Sequence, residues 1–450
     1  MIINPLDNVE IRADGHKYAR RDIATGENII KYGMPIGHAT CAIKVGEHVH
    51  VHNVKTNLGD VLEYRYEPSF TEVKRETSPM MKAYRHADGR IGIRNDLWVI
   101  PLVGCVNRLA ERLAQAVGGL ALTHPYGCSQ MGADHEMTAN LLAAFVRHPN
   151  AGGVLVVALG CENNTLESFK ARLGDYSRLN VRFLKAQDPG DEYEKGLALL
   201  KELEAARPKE RVEVPVSELV VGLKCGGSDG FSGLTANPLV GRFSDWLIAR
   251  GGSTVLTEVP EMFGAETLLM KRCRTRNVFD KCVKMINDFK DYYTAHNQVC
   301  YENPSPGNKA GGITTLEDKS LGCVQKGGFS PVEDVLGYGE SVKAHGLSLM
   351  TGPGNDLVAA TVLAAAGAHL ILFTTGRGTP FGCVVPTLKI ASNDTLATNK
   401  PNWIDWNAMS HPEVEAFAEM ILRVASGETR TKNELSGAQG IAIFKDGVTL

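Results

Sequence analysis

The chain has 450 residues, which exceeds one comfortable hydrophobic core and predicts about two or three domains. Its hydrophobic content of 43% and charged content of 22% are typical of a globular protein. A formal net charge of −3 gives no reason to expect nucleic acid or an anionic membrane as a partner. No basic region followed by an apolar core opens the chain, so its ten cysteines are expected to be free thiols in the cytoplasm.

The first part of the chain, residues 1–66, predicts a small β domain. Short strands separated by glycine-containing turns are predicted at Val9–Arg12, Ile29–Tyr32, Thr40–Ile43 and His48–Val51. Residues 67–82 are polar and contain Pro68 and Pro79, which is typical of a linker. So small a unit is expected to pack against the rest of the chain or a second subunit.

Residues 83–212 and 213–450 predict two α/β domains. Unbroken apolar runs alternate with helical patterns, which favours mostly parallel sheets covered on both faces. Strands are predicted at Leu97–Val103, Gly153–Leu159, Glu218–Leu223, Ser253–Thr257, Leu347–Met350 and His369–Thr374. Helices are predicted at Asn107–Val117, Met131–Arg147, Asp191–Arg207 and Pro238–Arg250, and a long glycine-rich loop at Asn303–Gly328. The predicted fold class is therefore α/β, opened by a small β domain.

The densest site-like pattern is Gly46–Asn53, in which His48, His50 and His52 alternate with valines. Side chains alternate faces along a strand, so the imidazoles would project from one side. Two imidazoles at i and i+2 can converge on one ion, and neutral imidazole suits zinc, iron or manganese. The pattern predicts a metal site; the plainer interpretation is a half-exposed strand that happens to be rich in histidine.

Polar, glycine-rich loops follow several of the predicted strands. Ligands bind at the carboxyl ends of strands in a doubly wound sheet, so these loops predict one shared crevice. The loop Lys224–Gly230 offers an ammonium, a thiol, backbone N–H groups and a carboxylate, which suits a carboxylated substrate. Any one such loop, taken alone, is better explained as a tight turn. No dinucleotide-binding glycine pattern follows a strand, so no nicotinamide cofactor is expected.

Long motifs spread in order along nearly the whole chain carry a resemblance to a known family. They are His50–Asn53, Tyr126–Gln130, Gly160–Asn164, Lys224–Asp229, Asn308–Glu317 and Thr374–Pro380. These motifs resemble the altronate/galactarate dehydratase family. The resemblance implies an N-terminal SAF (β-clip) domain, two dehydratase domains, a requirement for divalent iron or manganese, and loss of water from a sugar acid to give a 2-keto-3-deoxy acid. Altronate, galactarate and related acids all remain open as substrates, and the family also has a sulfolactate-cleaving branch.

This chemistry needs a base for the C2 proton, and an acid or metal to expel the 3-hydroxyl. The candidate catalytic residues are His124, His135, Lys224 and Lys309. The candidate substrate-binding residues are Cys128, Ser129, Asn163, Ser228, Asp229, Asn308, Arg377 and Thr379. The candidate metal ligands are His50, His52 and Glu162. Arg377 could bind a carboxylate through paired hydrogen bonds.

Two further interpretations stay open from the sequence. Three of the thiols in Gly-Cys or Cys-Gly contexts could hold an iron–sulfur cluster, because cluster ligands can come from distant loops. A sugar-acid-binding regulatory protein is the non-enzyme alternative, although the polar loops and the His-x-His pair favour an enzyme. The expected partners are a small sugar acid and, by general frequency, a second copy of the chain in a homodimer.

Overall fold

A computed structural model describes residues 1–58, 63–299 and 301–447. The predicted domain ranges also contain residues 59–62, 300 and 448–450, which lie outside the described residues. The predicted α/β class is confirmed, with small antiparallel sheets followed by parallel ones. Across the described ranges, no helix combines the length and the hydrophobicity needed to cross a bilayer.

The N-terminal domain consists of short antiparallel strands. They are β1 (Val9–Ile11), β2 (Lys17–Ala19), β3 (Asn28–Lys31), β4 (Met34–Ala39), β5 (His48–Val49) and β6 (Val54–Lys55), in the orders β1-β2-β5 and β3-β4-β6. The strand predicted at Thr40–Ile43 is wrong. Tyr32 and Gly33 both have positive φ, 59° and 73°, as a two-residue hairpin turn requires, so the chain returns at once as β4.

The middle domain is built on a parallel sheet of order β10-β9-β11-β12. Its strands are β7 (Met80–Arg85), β8 (Ile91–Gly92), β9 (Asp96–Pro101), β10 (Leu120–Ala121), β11 (Ala151–Ala158), β12 (Val181–Lys185) and β13 (Val212–Pro215). Its helices are α1 (Asn107–Ala116), α2 (Gly132–Val146), α3 (Leu166–Leu173) and α4 (Glu192–Ala206). Every residue of β11 is buried, as its unbroken apolar run predicts. Strand β7 begins inside the predicted linker and pairs antiparallel with β13 and β8.

The C-terminal domain is built on a larger parallel sheet of order β16-β17-β15-β14-β18-β20-β21. Its strands are β14 (Val220–Cys225), β15 (Ser253–Leu256), β16 (Val332–Leu336), β17 (Gly346–Met350), β18 (Leu370–Thr375), β19 (Gly382–Cys383), β20 (Thr387–Ala391), β21 (Trp406–Asn407) and β22 (Gln439–Gly440). Its helices are α5 (Ala236–Ala249), α6 (Glu266–Met270), α7 (Arg276–Ala295), α8 (Pro306–Ala310), α9 (Leu316–Cys323), α10 (Asp356–Ala365), α11 (Asp394–Asn399), α12 (Val414–Ala425) and α13 (Lys432–Ser436).

The strand order reverses direction beside β14. From β14 the chain builds outward to β15, β17 and β16 on one side, and to β18, β20 and β21 on the other. Ligands of such sheets bind outside the carboxyl ends of the strands at this kind of switch point. The loops that follow β14 and β18 are neighbours there, because Cys225 pairs with Thr374 at the ends of the two strands.

The long loop predicted at Asn303–Gly328 is wrong, because it contains α8 and α9. Thr315 caps α9 by accepting a hydrogen bond from Asp318 N, as an N-cap threonine does. Every residue of α9 is buried, so the helix has no alternation of apolar and exposed faces for a sequence pattern to reveal. Helix α9 nevertheless carries several of the charged side chains on which the site depends.

Candidate functional site

The histidines of Gly46–Asn53 lie beside a fourth histidine, His16, which precedes β2. Strands β2 and β5 pair antiparallel, with Tyr18 opposite His48, and this pairing places His16 next to His48. We call His16, His48, His50 and His52 the histidine cluster. Strand β5 is shorter than predicted and ends at Val49, so the cluster is formed by a strand and a turn, not by strand alternation alone.

The turn after β5 is held by Asn53. Its Nδ2 donates to His48 O at 2.9 Å, and its Oδ1 accepts from His50 N at 2.9 Å. The ring centroid of His48 consequently lies 5.4 Å from that of His50 and 5.5 Å from that of His52. Asn53 is buried and positions the cluster without belonging to it.

The electrostatics of the cluster favour neutral imidazoles. Burial, reinforced by the neighbouring Lys17 ammonium, lowers the pKa of His50 to about 4. Burial and the adjacent His16 also lower the pKa of His48. Both rings are therefore uncharged at neutral pH, which is the form in which histidine binds metal ions.

Two ring nitrogens of the histidine cluster lie at a separation that a divalent ion of the iron or manganese class could bridge. Two ring nitrogens bound to one ion at about 2.0–2.1 Å each lie about 3 Å apart. Nδ1 of His16 lies 3.1 Å from Nε2 of His48, a separation that a hydrogen bond between the rings also gives. In the part of the chain that the structure describes, no third histidine nitrogen lies within 4.8 Å of both. His50 supplies a third ring, and its Nδ1 lies 3.0 Å from Thr314 Oγ1.

The predicted ligand Glu162 lies in the middle domain, in the loop after β11. Its carboxylate accepts hydrogen bonds from Leu159 N at 3.0 Å and Gly160 N at 2.5 Å, which closes the turn. Among the described residues, His50, His52 and Glu162 do not bring ligand atoms within 4.8 Å of one another. Their joint role as metal ligands stays a prediction.

Buried ion pairs attach the N-terminal domain to α9. Asp318 accepts hydrogen bonds from Lys17 Nζ at 2.7 Å and Lys31 Nζ at 2.8 Å, and all three side chains are buried. Burial opposes ionisation of Asp318, but the two ammonium groups outweigh it and hold the pKa of this carboxyl well below its usual range. Asp318 also accepts a hydrogen bond from Thr314 N at 3.0 Å, so the same residue fixes the loop that His50 contacts.

Several predicted substrate-binding residues come together at the switch point of the large sheet. Asn308 Nδ2 donates to Ser228 O at 2.8 Å, and Arg377 Nη1 donates to Gly307 O at 3.2 Å. Arg377 is exposed, and Lys309 is half-buried. Within the described residues the Lys309 ammonium forms no hydrogen bond or ion pair. These cations are available to an anionic ligand.

Asp229 and Thr379 have partners within the protein. The Asp229 carboxylate accepts hydrogen bonds from Ser232 at 2.8 Å, Ser392 at 2.8 Å and Asn393 at 2.9 Å. A Cβ at Gly376 would stand 2.2 Å from Asp229 Cγ, so glycine is required for this approach. Thr379 Oγ1 accepts from Phe381 N at 3.2 Å. In this conformation both residues shape the loops.

A buried network of charges surrounds Lys224 beneath these loops. Lys224 Nζ donates to Glu258 at 2.7 Å and Asp356 at 2.9 Å, and Lys326 Nζ lies 3.2 Å from Glu258. Burial disfavours the charged Lys224, but Glu258 and Asp356 outweigh it and raise its pKa above the ordinary value. Lys224 is therefore a fixed cation and a poor candidate for a base.

The same network continues to Glu261 and Lys319, where it meets two buried thiols. Glu261 Oε1 accepts from Lys319 Nζ at 2.7 Å, while Oε2 accepts from Cys225 Sγ at 3.0 Å and Cys323 Sγ at 3.2 Å. Burial raises the pKa of Glu261, but Lys319 and its neighbouring lysines outweigh this and lower it overall. We call Lys224, Lys319, Lys326, Glu258, Glu261 and Asp356 the lysine–carboxylate network.

The predicted residues of the middle domain form a separate group. Ser129 N donates to Asn163 Oδ1 at 2.8 Å, and Ser129 Oγ lies 3.9 Å from Cys128 Sγ. Ser129 has φ of 60°, an unusual value for serine that makes this turn tight. No hydrogen bond among the described residues joins this group to the loops after β14 and β18. The single shared crevice stays a prediction.

The two candidate histidine bases of the middle domain differ sharply. His124 is buried, its Nε2 lies 2.8 Å from Pro101 O, and its Nδ1 accepts from Tyr126 N at 3.2 Å. Burial lowers its pKa to about 4, and neither ring nitrogen is free for substrate in this conformation. His135 lies in the first turn of α2, and its Nδ1 is buried without a hydrogen-bond partner among the described residues. Geometry thus favours His135 over His124.

The Gly-Cys thiols do not assemble as an iron–sulfur site would require. Cys105, Cys128 and Cys161 are exposed, and Cys383 is buried elsewhere, with its Sγ donating to Ala360 O at 3.5 Å. Cys225 and Cys323 are free thiols whose Sγ atoms lie 3.4 Å apart. Among the described residues no third thiol joins the pair, and the cluster interpretation is not favoured.

Sequence reasoning missed His16 and most of the lysine–carboxylate network. His16 is a single histidine 32 residues from His48, so no local spacing points to it. Glu258 adopts positive φ, 71°, directly after β15, which a sequence cannot reveal for a glutamate. Lys319 lies in the region predicted as a loop. The position of Glu258 and Glu261 after a buried strand is the one local signal that points to them.

Family models cover nearly the whole chain. The SAF domain of altronate/galactarate dehydratase matches residues 7–57. The second domain of D-galactarate dehydratase/altronate hydrolase matches residues 83–207. The C-terminal domain of D-galactarate/altronate dehydratase matches residues 216–449.

Whole-length relatives agree with these models. The chain is 55% identical to an altronate dehydratase of Bacillus subtilis, with 98% of this chain and 94% of the relative covered. It is 52% identical to an altronate dehydratase of Escherichia coli, covering 99% and 95%. It is 32% identical to the galactarate dehydratase (L-threo-forming) of Escherichia coli, covering 98% and 91%. The chain therefore belongs to the altronate/galactarate dehydratase family of hydro-lyases, with an SAF domain at its N-terminus.

Proposed function

We propose that this protein is a metal-dependent hydro-lyase that dehydrates altronate, or an aldonate of closely related stereochemistry, to a 2-keto-3-deoxy acid. The main support is the identity of 52–55% with two altronate dehydratases along nearly the full chain. Identity with the galactarate dehydratase is lower, 32%, which makes galactarate the weaker candidate. Cleavage of a carbon–sulfur bond is set aside, because these full-length relatives are dehydratases.

The binding of the substrate carboxylate is assigned to Arg377, and to Lys309 as a second cation where His135 is the base. Both are at the switch point of the large sheet, and the Lys309 ammonium is unpaired within the described residues. A guanidinium can bind a carboxylate through two parallel hydrogen bonds. Lys224 lies beneath these loops, and its positive charge favours the binding of an anion above it. Lys224 is not assigned a role in proton transfer.

Removal of the C2 proton is assigned to His135 or Lys309. A general base must present a free nitrogen within hydrogen-bonding distance of the proton it takes. The Nδ1 of His135 is buried but has no hydrogen-bond partner among the described residues, whereas both nitrogens of His124 are engaged. A pH–rate profile of His135→Gln, compared with that of Lys309→Met, separates the two candidates, because the limb that reports the base is lost in one variant and kept in the other.

The metal ion that the family implies is assigned to the histidine cluster, with His16, His48 and His50 holding it. A divalent ion supplies Lewis acidity toward a carboxylate or a hydroxyl leaving group. The support is the 3.1 Å approach of the His16 and His48 nitrogens and the neutral state of His48 and His50. Through Thr314 and Asp318, the cluster is also connected to the helix that carries Lys319.

The proposed function is tested by a turnover screen of anaerobically purified protein, supplied with ferrous iron or manganese, against a panel of aldonates and aldarates. We expect a 2-keto-3-deoxy acid from altronate at a kcat/KM well above that for galactarate. A blank panel from protein that has bound the metal would refute the dehydratase assignment.

Replacement of single histidines tests the metal assignment. We expect His16→Ala and His48→Ala to lose both bound metal and turnover. The spacing of His50 and His52 predicts the same for His52→Ala, whereas the proposed ligand set of His16, His48 and His50 predicts that His52→Ala keeps its metal. His38→Ala is the matched control, because His38 lies in the same domain and contacts Asn57, outside the cluster. Full metal content in His16→Ala would refute our ligand set.

A homodimer remains our expectation for the oligomeric state, and light scattering of the purified protein would check it.

A further inference from the structure

The lysine–carboxylate network encloses a group of side chains that the proposed reaction does not use. Sγ of Cys225 and Sγ of Cys323 lie 3.4 Å apart, and Glu261 Oε2 lies 3.0 Å from the first and 3.2 Å from the second. In the described part of the chain, this is the one group of three histidine, cysteine or acidic side chains whose ligand atoms all lie within 4.8 Å. All three residues are buried.

The spacing of the group is close to that of a metal site. Around a tetrahedral ion with bonds of about 2.3 Å to sulfur and about 2.1 Å to oxygen, two sulfurs lie about 3.8 Å apart and sulfur and oxygen about 3.6 Å apart. The observed separations are shorter by a few tenths of an ångström. An ion would therefore require the three ligand atoms to separate by only a few tenths of an ångström.

The charges of the surroundings are compatible with a divalent ion. Of the described residues in the lysine–carboxylate network, Lys224, Lys319 and Lys326 are balanced by Glu258, Glu261 and Asp356. A divalent ion bound by two thiolates replaces two thiol protons, so the net charge of the buried region does not change. An ion bound without this exchange would add two uncompensated positive charges to the buried region, which is costly.

The third ligand is already oriented. Lys319 Nζ holds Glu261 Oε1 at 2.7 Å and receives further support from Asn303 Oδ1 at 3.1 Å. This leaves Oε2 directed at the two sulfurs, and such supporting hydrogen bonds are what fix ligand orientation in metal sites.

We propose that Cys225, Cys323 and Glu261 form a second metal site, separate from the histidine cluster, that binds a thiophilic divalent cation of the zinc class. Two sulfurs and one carboxylate oxygen select zinc, cobalt or ferrous iron over magnesium, calcium and manganese. Because the three ligands are buried, the ion is taken up as the chain folds.

The test uses cobalt as a spectroscopic substitute for zinc. The full chain is produced in minimal medium in which cobalt replaces zinc, purified without oxygen, and examined by absorption spectroscopy and elemental analysis. We expect a thiolate-to-cobalt charge-transfer band in the near ultraviolet, which the sulfur-free histidine cluster cannot give. The absence of this band in protein that contains cobalt would overturn the proposal.

Variants distinguish the two sites. We expect Cys225→Ser and Cys323→Ser each to lose the charge-transfer band and about one equivalent of metal, and Glu261→Gln to shift the band. His48→Ala should keep the band, and so should Cys383→Ser, a control that removes another buried thiol. If a cysteine variant does not fold, Glu261→Gln decides. An unchanged spectrum in that variant would exclude Glu261 as a ligand and overturn the proposed site. Because the readout is not turnover, failure of the proposed reaction leaves this test intact.

Discussion

The histidine cluster and the lysine–carboxylate network differ in how they are built and in what surrounds them. The cluster comes mostly from one short segment and is half-exposed, and its His48 and His50 rings are uncharged at neutral pH. The network is buried except for the partly exposed Asp356, and its charged side chains come from loops and helices far apart in the chain. Lys224 and Asp356, for example, are separated by 132 residues.

We infer from this difference that the histidine cluster serves mainly to bind an ion, whereas the lysine–carboxylate network serves mainly to stabilise the fold. Neutral, partly exposed imidazoles can exchange a bound ion, and they contribute little to the folded state. Buried ions cannot lose a partner without leaving an uncompensated charge, and that is costly. We therefore expect substitutions in the network to lower the free energy of unfolding, and substitutions in the cluster to abolish turnover while leaving the fold nearly as stable.

The largest effect is expected for Glu258→Gln, which removes the carboxylate shared by Lys224 and Lys326. An uncompensated buried charge costs about 3–5 kcal/mol, so we expect the free energy of unfolding to fall by about 4 kcal/mol in urea denaturation. Glu202→Gln is the control, because its ion pair with Arg182 is exposed and such pairs contribute about 0–1 kcal/mol. Equal effects of the two substitutions would contradict the assigned importance of burial.

A somewhat smaller effect, about 3 kcal/mol, is expected for Asp318→Asn. The substitution leaves Lys17 and Lys31 without their buried partner, and these lysines belong to the N-terminal domain. Hydrogen exchange should therefore accelerate first in residues 1–58, before the large sheet. Uniform acceleration along the chain would show that Asp318 does not act by attaching this domain.

An intermediate effect is expected from the buried imidazole of His124. Its folded pKa of about 4 lies below the unfolded value of about 6.5. The unfolded chain then binds more protons between these values, so the contribution of His124 to stability is lost as pH falls below 6.5. His124→Gln should reduce the fall in unfolding free energy between pH 7 and pH 5 by about 2 kcal/mol. An unchanged pH slope in denaturant titrations would contradict the lowered pKa.

The smallest effect on stability is expected for His48→Ala. The ring is partly exposed and neutral, so the free energy of unfolding should change by less than about 1 kcal/mol when both proteins are measured in a chelator. Turnover should nevertheless be lost. If His48→Ala lowered the free energy of unfolding as much as Glu258→Gln does, the proposed difference between the histidine cluster and the lysine–carboxylate network would be wrong.

Local pattern determined much of the architecture and part of the site. Apolar runs and helical periodicity are short-range features of a sequence. The elements that they predicted formed close to the predicted bounds, namely the strands β11, β17 and β18 and the helices α1, α2 and α4. The motif loops followed the strands as expected, and Arg377, Asn308 and Lys309 met at the end of the large sheet. The resemblance to the family was carried by contiguous residues and was confirmed.

Tertiary structure alone decided which side chains became partners. Lys17 and Asp318 lie 301 residues apart, and Cys225 and Cys323 lie 98 apart, so no spacing rule connects them. Helix α9 escaped detection because burial on every side removes the amphipathic signal. Whether a lysine is a solvated surface charge or a fixed buried cation depends on the carboxylates that folding brings to it. The sequence indicated which residue types could carry the chemistry. Which of these side chains lie together was decided by the tertiary structure, because side-chain periodicity is a local property and charge compensation is not.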